Sequence, residues 1–338
     1  MDLDAVRTCA LLHDVGKPLC WALGESFERH VVYTEAIVKE HLGPELARVA
    51  SRHHYGPGYP DEYRPKTMEE WIIGIADTIS SGADRPERGV RVRVPPVRLT
   101  FPLSGGEIVC RELSGEELKE VNKEVEGILR EVSGIAQRGL REAYLELYEK
   151  LERSSLKDVP ADTRRPINDH SLWDHLKMTA AFATCIYLEC EREGRLIGRS
   201  PGDYEFTLIG GDADRIGEYI NRSLRLPDLR AGSRLVEESV RRAREVVCEA
   251  LGPECVVFSG GGNILCISPP HMADELIEKM EEAFSEPTSG ELGITFAKVE
   301  ASGEDFKERF GDLWERVGEE VRRRKTQKTP KMPEPVPE

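Results

Sequence analysis

The sequence predicts an α+β protein, an all-α first part followed by a ferredoxin-like palm of order βαββαβ. Three observations predict it. The length of 338 residues is about twice that of a usual domain, so two domains are expected. Residues 1–90 read as short helices broken by Gly and Pro, and 114–156 carries apolar residues at three- and four-residue spacing. Beyond residue 203 the rhythm changes to strands alternating with helices, in the order of a split βαβ unit.

Taken in order, 90–107 is rich in Val, Pro and Gly and predicts a small β excursion or a crossing loop. In 114–156, Ser114 followed by Glu117 forms a capping box that opens an amphipathic helical pair. VPADTRRPINDH (159–170) is a polar connector, and the helix over 171–193 is apolar on much of its circumference, so burial is expected. Residues 194–203 read as the domain linker. In the palm, strands are expected at 205–210, 255–259, 263–268 and 293–300, the middle pair joined by a Gly-Gly-Gly turn. Helices are expected at 215–223, 231–251, 271–284 and 306–325. These boundaries give a first domain over 1–195 with an insertion at about 90–160, a palm over 203–325, and a Pro-rich disordered tail at 326–338. No internal repeat is present.

Composition excludes several classes. Forty-seven basic residues against 62 acidic give a net charge of −15, which argues against indiscriminate duplex binding, because phosphate contacts need a basic surface. With 39% hydrophobic and 32% charged residues the chain can bury real cores. No apolar run is long enough for a membrane helix, and the acidic start MDLDAVRTCALLHD is not a secretion signal. The eight cysteines contain no CxxC pair and suggest neither a disulfide framework nor a zinc ribbon, so a reduced, cytoplasmic protein is expected.

LLHDVGKP sets His13 beside Asp14 on an apolar helix that Gly16 ends. Adjacent imidazole and carboxylate can ligate one divalent ion, and mixed N/O donors suit Mn, Fe, Ni or Zn. The dipeptide alone says little, and its context carries it. His30 follows in FERHVVYTEAIV, then the pair His53–His54, then Asp77 within the apolar stretch WIIGIADTIS, then His175 in DHSLWDHLKMTAAFA. An unpaired carboxylate is expensive to bury, so Asp77 is expected to ligate a metal or to pair, with Arg85 as a candidate partner. His13, His30, His53 and His54 can also be read as satisfied core histidines. His41, His170 and His271 are expected at the surface or in capping positions.

HD…H…HH…AD with a final DHxxxTAA resembles an HD-superfamily phosphohydrolase in circularly permuted order, with His175 filling from the end the place of the usual leading histidine. LLHDVGKP, IADTISSGADR and VPADTRRPINDHSLWDHLKMTAAFATCIY together resemble the large subunit of type III CRISPR–Cas effector complexes, over about residues 9 to 325. The resemblance implies an antiviral defence protein whose first domain is a metal-dependent nuclease for single-stranded DNA. It implies His13, Asp14, Asp77 and His175 as metal ligands, with His53 and His54 as outer ligands or phosphate binders and His30 as a lesser candidate. Lys17 is expected to assist phosphate binding or to be a solvated helix-end lysine.

LIGGDADRIGEYI, RLPDLRAGSRLVEE and FSGGGNILCIS resemble the first palm of the same subunit. That places Asp212, with Asp214 nearby, at a strand end where nucleotidyl-transfer palms hold Mg²⁺ and a triphosphate, or else makes Asp212 a helix N-cap. Gly210 and Gly211 are expected to let backbone approach phosphate. Asp212, Ser233, Gly260, Gly261 and Gly262 are the expected nucleotide-facing residues, with ATP as ligand. The hairpin reads Ser259-Gly260-Gly261-Gly262-Asn263 and lacks the acidic pair of a GGDD turn. No second palm or zinc-binding cysteine cluster follows, so the chain is expected to be the N-terminal half of a large subunit and not to make cyclic oligoadenylate alone. Expected partners are single-stranded DNA, the crRNA-containing effector subunits and a separate chain carrying the GGDD palm, with no membrane. Two other functions compete: a non-catalytic scaffold of the ribonucleoprotein, and an HD-type nucleotide phosphohydrolase.

Overall fold

The structure is a computed structural model that describes residues 1–56, 58–83, 94–99, 111–164, 170–223 and 225–327. Its internal contacts fall into two units. The first is Met1–Tyr204 with Ser302–Glu308; the second is Glu205–Ala301 with the described residues from Arg309.

The first unit is helical throughout its described core. Helices α1 (Leu3–Leu12), α2 (Lys17–Ala22), α3 (His30–Leu42), α4 (Pro44–Ser51) and α5 (Met68–Ala83) are followed by α6 (Gly115–Ala136), α7 (Leu140–Glu152) and α8 (Leu172–Glu193). Helix α1, capped by Asp2, is buried from Ala5 to Leu12, and α8 is buried along nearly its whole length, as expected of helices apolar on most sides. Both α1 and α5 pack on α8. This pairing brings His175 to the residues near the chain start. Ser171 caps α8 by accepting from the Asp174 amide, and Gly194 at φ 68° ends it in the left-handed conformation. The capping box of α6 forms as expected: Ser114 Oγ accepts from the Glu117 amide at 3.3 Å, and Glu117 Oε2 accepts from the Ser114 amide at 3.0 Å.

Most of 90–107 lies outside the described residues, as does Arg85. Within the described part Val97 bridges Glu112. The 194–203 stretch is ordered by side chains: Ser200 and Asp203 close a 3₁₀ turn, and the Tyr204 hydroxyl donates to the Gly198 carbonyl at 3.0 Å.

The second unit is built on a four-stranded sheet of order β2-β3-β1-β4, the order of a ferredoxin-like palm. Its elements are β1 (Glu205–Ala213), α9 (Ile216–Ile220), α10 (Leu226–Ala250), β2 (Val256–Gly260), β3 (Asn263–Ser268), α11 (Ala273–Ser285) and β4 (Ile294–Ser302). Helix α12 (Gly303–Gln327) follows, kinked at Arg309 where the second unit resumes, and 328–338 lie outside the described residues. Strand β1 outruns its expected end because Gly210, Gly211 and Asp212 continue the antiparallel ladder opposite Leu265, Ile264 and Asn263. Helix α10 starts five residues earlier than expected, with Pro227 in its first turn. Gly210 and Gly211 serve packing rather than phosphate approach: side chains there would press on Val317 and strike the Phe296 ring.

Candidate metal centre

Three histidines are prepared by one local device. His13 caps the C-terminus of α1 and donates Nδ1–H to the Ala10 carbonyl at 2.7 Å. His30, the first residue of α3, donates to the Phe27 carbonyl at 2.6 Å, and His53, just past α4, donates to the Ala50 carbonyl at 2.9 Å. In each case the acceptor lies three residues upstream. A carbonyl can only accept, so the proton is fixed on Nδ1 and the Nε2 lone pair is turned toward the centre. His175 is held differently, its Nδ1 lying 3.2 Å from the Ser80 hydroxyl on α5.

Two carboxylates meet these nitrogens, each with its oxygens on different groups. Asp14 Oδ1 lies 2.9 Å from His30 Nε2 and 3.6 Å from His53 Nε2, while Oδ2 lies 3.3 Å from both His13 Nε2 and His175 Nε2. Asp77 Oδ1 lies 3.2 Å from His175 Nε2 and 3.7 Å from His13 Nε2, while Oδ2 lies 3.6 Å from His54 Nδ1. The result is two groups that could each hold a metal ion and that share Asp14: Asp14, His30, His53 and His54, and His13, Asp14, Asp77 and His175. All except His54 are buried.

This arrangement fits cations. His13 and His175 bring their Nε2 atoms to 3.2 Å, as do His30 and His54. Asp14 Oδ1 and His53 Nε2 are buried with no hydrogen-bond partner among the described residues. Such a cluster of facing lone pairs is costly unless positive charge enters it. N/O donors at these spacings suit Mn, Fe, Ni or Zn. Burial pushes Asp14 up, but Lys17, His13 and His30 outweigh it and hold the carboxyl well below the usual range. For Asp77 burial is likewise outweighed, by His13 and His175. Burial lowers His53 and holds His54 well below the ordinary imidazole value, whereas in His13 the Asp14 and Asp77 carboxylates override burial and raise it.

Lys17 is not solvated. Its ammonium lies 2.5 Å from Asp14 Oδ2 and donates to the Ala161 carbonyl at 2.9 Å, so it is buried against the Asp14 carboxylate. Gly16 does not end a helix, since α1 stops at Leu12; a side chain there would strike the His30 carbonyl and the Thr34 amide where α2 meets α3. His271 is exposed, and His41 and His170 are half-buried.

At the palm, Asp212, Asn263 and Gly260 sit in one row across β1, β3 and β2. Gly261 and Gly262 turn the hairpin at φ 59° and 89°, which is why glycines stand there. Ser233 is exposed on α10. Asp212 is not a helix cap: it stays in the strand, and Arg215 occupies the N-cap of α9. Its carboxylate pairs with Lys325 of α12 at 2.7 Å.

Residues 1–82 match the family model of the HD domain, and residues 205–334 match that of the Csm1 subunit domain B. In the order of these two matches the chain resembles the N-terminal region of a type III CRISPR large subunit. Solved structures share its fold over 97% of its residues. They include the apo Csm1–Csm4 cassette (21% identity, 48% of that chain, TM-score 0.71), Csm1 of T. onnurineus (21%, 50%, 0.72) and the Csm1–Csm4 cassette with cA4 (22%, 49%, 0.71). The chain spans about half the length of these solved chains. A search of curated proteins finds no relative.

The sequence leaves three residues unremarked. Ser80 and Ser81 stand three and four positions after Asp77, on the same helix face, where Ser80 meets His175 and Ser81 donates to Asp77 Oδ1 at 3.0 Å. That spacing was a readable signal. Lys325 gave none, because it reaches Asp212 from far along the chain.

Proposed function

We propose that the first unit is a metal-dependent phosphodiesterase that cuts single-stranded DNA as part of a type III effector. The observation that carries this reading is Asp14, whose two oxygens face two different ligand sets within one buried centre. The ligands would be His13, Asp14, Asp77 and His175 on one side and Asp14, His30, His53 and His54 on the other. Divalent ions bound there would supply a water of lowered pKa and neutralise a phosphodiester oxygen. The chain's own residues do the rest. The Nδ1 hydrogen bonds of His13, His30 and His53 keep the imidazoles aimed, Ser80 orients His175, and Lys17 offsets the charge of Asp14.

Solved neighbours include Csm1 with Csm4, with AMPPNP and with cA3. On that ground we assign this chain a Csm4-like partner within a type III effector and an ATP-contacting face near Gly260–Gly262. A cytoplasmic setting agrees with the seven described cysteines, all free thiols. Among the described residues no helix is long and apolar enough to cross a membrane.

The test is cleavage of labelled single-stranded DNA by wild type and Asp14→Asn with Mn²⁺, Ni²⁺ or EDTA, alone and with the partner subunits. Metal-dependent cutting that is lost in Asp14→Asn supports the reading. Metal-loaded protein that hydrolyses dNTPs but not DNA makes it a nucleotide phosphohydrolase. Protein that binds no metal makes it a scaffold.

A further inference from the structure

We propose that Lys325 is the palm's resident cation, standing in for a divalent ion at the end of β1, so that this site takes no metal. The Lys325 ammonium lies 2.7 Å from Asp212 Oδ2, 3.5 Å from Asp214 Oδ1 and 2.7 Å from the Ala213 carbonyl. Two carboxylates and the backbone carbonyl between them are the hard oxygen donors that Mg²⁺ or Mn²⁺ selects. An ammonium offers three N–H donors, and here three oxygens surround it.

The surroundings fix both halves of this contact. Thr295 Oγ1 lies 2.8 Å and 3.0 Å from the two oxygens of Asp214, setting that carboxylate's orientation from β4. Next to Lys325, Arg324 donates to the Phe296 carbonyl at 3.1 Å, pinning the end of α12 to the same strand. The Lys325 side chain is about three-quarters shielded, so its charge is anchored rather than sampling solvent. A divalent ion on the same oxygens needs metal–oxygen distances of about 2.0–2.6 Å, which the ammonium's position already fills, and the two like charges would face each other in a partly desolvated place. The sequence agrees, since the hairpin beside Asp212 presents Gly260, Gly261, Gly262 and Asn263 where further carboxylates would be needed. The Mg²⁺–triphosphate site expected at Asp212 therefore does not fit this strand end.

Mn²⁺ is the probe, counted per full-length chain by equilibrium dialysis. The proteins are wild type, Asp212→Asn, Lys325→Met and the double variant, each checked for folding by circular dichroism. Because only differences are read, ions held by the first unit cancel, and the result stands apart from the nuclease proposal. Wild type and Asp212→Asn should bind equal numbers. Lys325→Met should bind one more, and Asp212→Asn added to it should remove that ion. One ion fewer in Asp212→Asn than in wild type overturns the proposal, as does a folded Lys325→Met that gains none. If Lys325→Met does not fold, the first pair decides: equal counts support the proposal and a lost ion overturns it.

Discussion

Gly74 tests whether the metal centre depends on the spacing between α5 and the segment after α4. Its backbone is helical, so alanine there gains about 1 kcal/mol of helix propensity. A Cβ at this position would lie 2.4 Å from the His53 carbonyl oxygen and 3.3 Å from its carbon. The first distance is about 1 Å short of ordinary van der Waals contact. The obstructing atom is backbone, so no side chain can swing away, and relief requires His53 and His54 to move from α5 by most of that ångström. Asp77 stands one turn further along the same helix and faces His54. Overpacking of this kind costs about 1–3 kcal/mol, so after the propensity gain the net loss of stability is about 0–2 kcal/mol and the protein still folds. Ligand geometry tolerates only about 0.2 Å. Mn²⁺ affinity at the set containing His53 and His54 should therefore fall about 10–100-fold. Isothermal titration with Mn²⁺ measures this beside thermal melts in EDTA. Gly127→Ala in α6, where a Cβ meets nothing within 4 Å, is the control: it should add about 1 kcal/mol and leave metal binding alone. A folded Gly74→Ala with wild-type Mn²⁺ binding would refute the reasoning.

Ser80→Ala removes the hydroxyl that orients His175 and should weaken one Mn²⁺ site by about 10-fold in titration, with the other unchanged. Lys17→Met leaves the buried Asp14 without its ammonium and should cost about 3 kcal/mol in EDTA melts, less in saturating Mn²⁺, since a bound cation neutralises the same carboxylate. Equal losses in both conditions would contradict that account. Ser114→Ala breaks the capping box of α6 and should cost about 1 kcal/mol, read from denaturant midpoints. For pH, His13 is raised and must shed its proton to ligate, whereas His53 and His54 are lowered and neutral at pH 7. Mn²⁺ affinity should therefore rise as pH climbs through the His13 value, with proton release on binding, read in buffers of differing ionisation enthalpy, that fades above it.

Much of the fold was legible because it follows period. The apolar circumference of 171–193 announced a buried helix, Ser114 and Glu117 announced a helix start, and alternating elements beyond 203 announced the palm. What misled was glycine. Gly210 and Gly211 read as a phosphate approach, yet they exist because Phe296 and Val317 occupy the space a side chain would need. Gly16 read as a stop, yet it lets α2 touch α3. A glycine's reason lies in what faces it, and that neighbour is set by tertiary packing the local sequence does not contain. Lys325 was hidden for the same reason: its partners, Asp212 and Asp214, stand more than a hundred residues away in sequence.

The sequence named the histidines and carboxylates that the structure brings together, but not how they are held, and helix ends explain the difference. A helix leaves its last carbonyls without intrahelical donors, and those carbonyls need partners. His13 takes the Ala10 carbonyl at the end of α1, and His53 takes the Ala50 carbonyl at the end of α4. His30 donates to the Phe27 carbonyl of the short 3₁₀ turn that precedes α3, a carbonyl that also accepts the His30 backbone N–H. One hydrogen bond thus fixes each imidazole, so no additional buried carboxylate is needed behind these three ligands. That leaves Asp14 and Asp77 free to face the centre, and it accounts for a site with two carboxylates serving five histidines. His175, inside α8 where every nearby carbonyl is already used by the helix, cannot draw on this device and needs Ser80 from α5 instead. The packing of α5 on α8 is therefore part of how His175 is held.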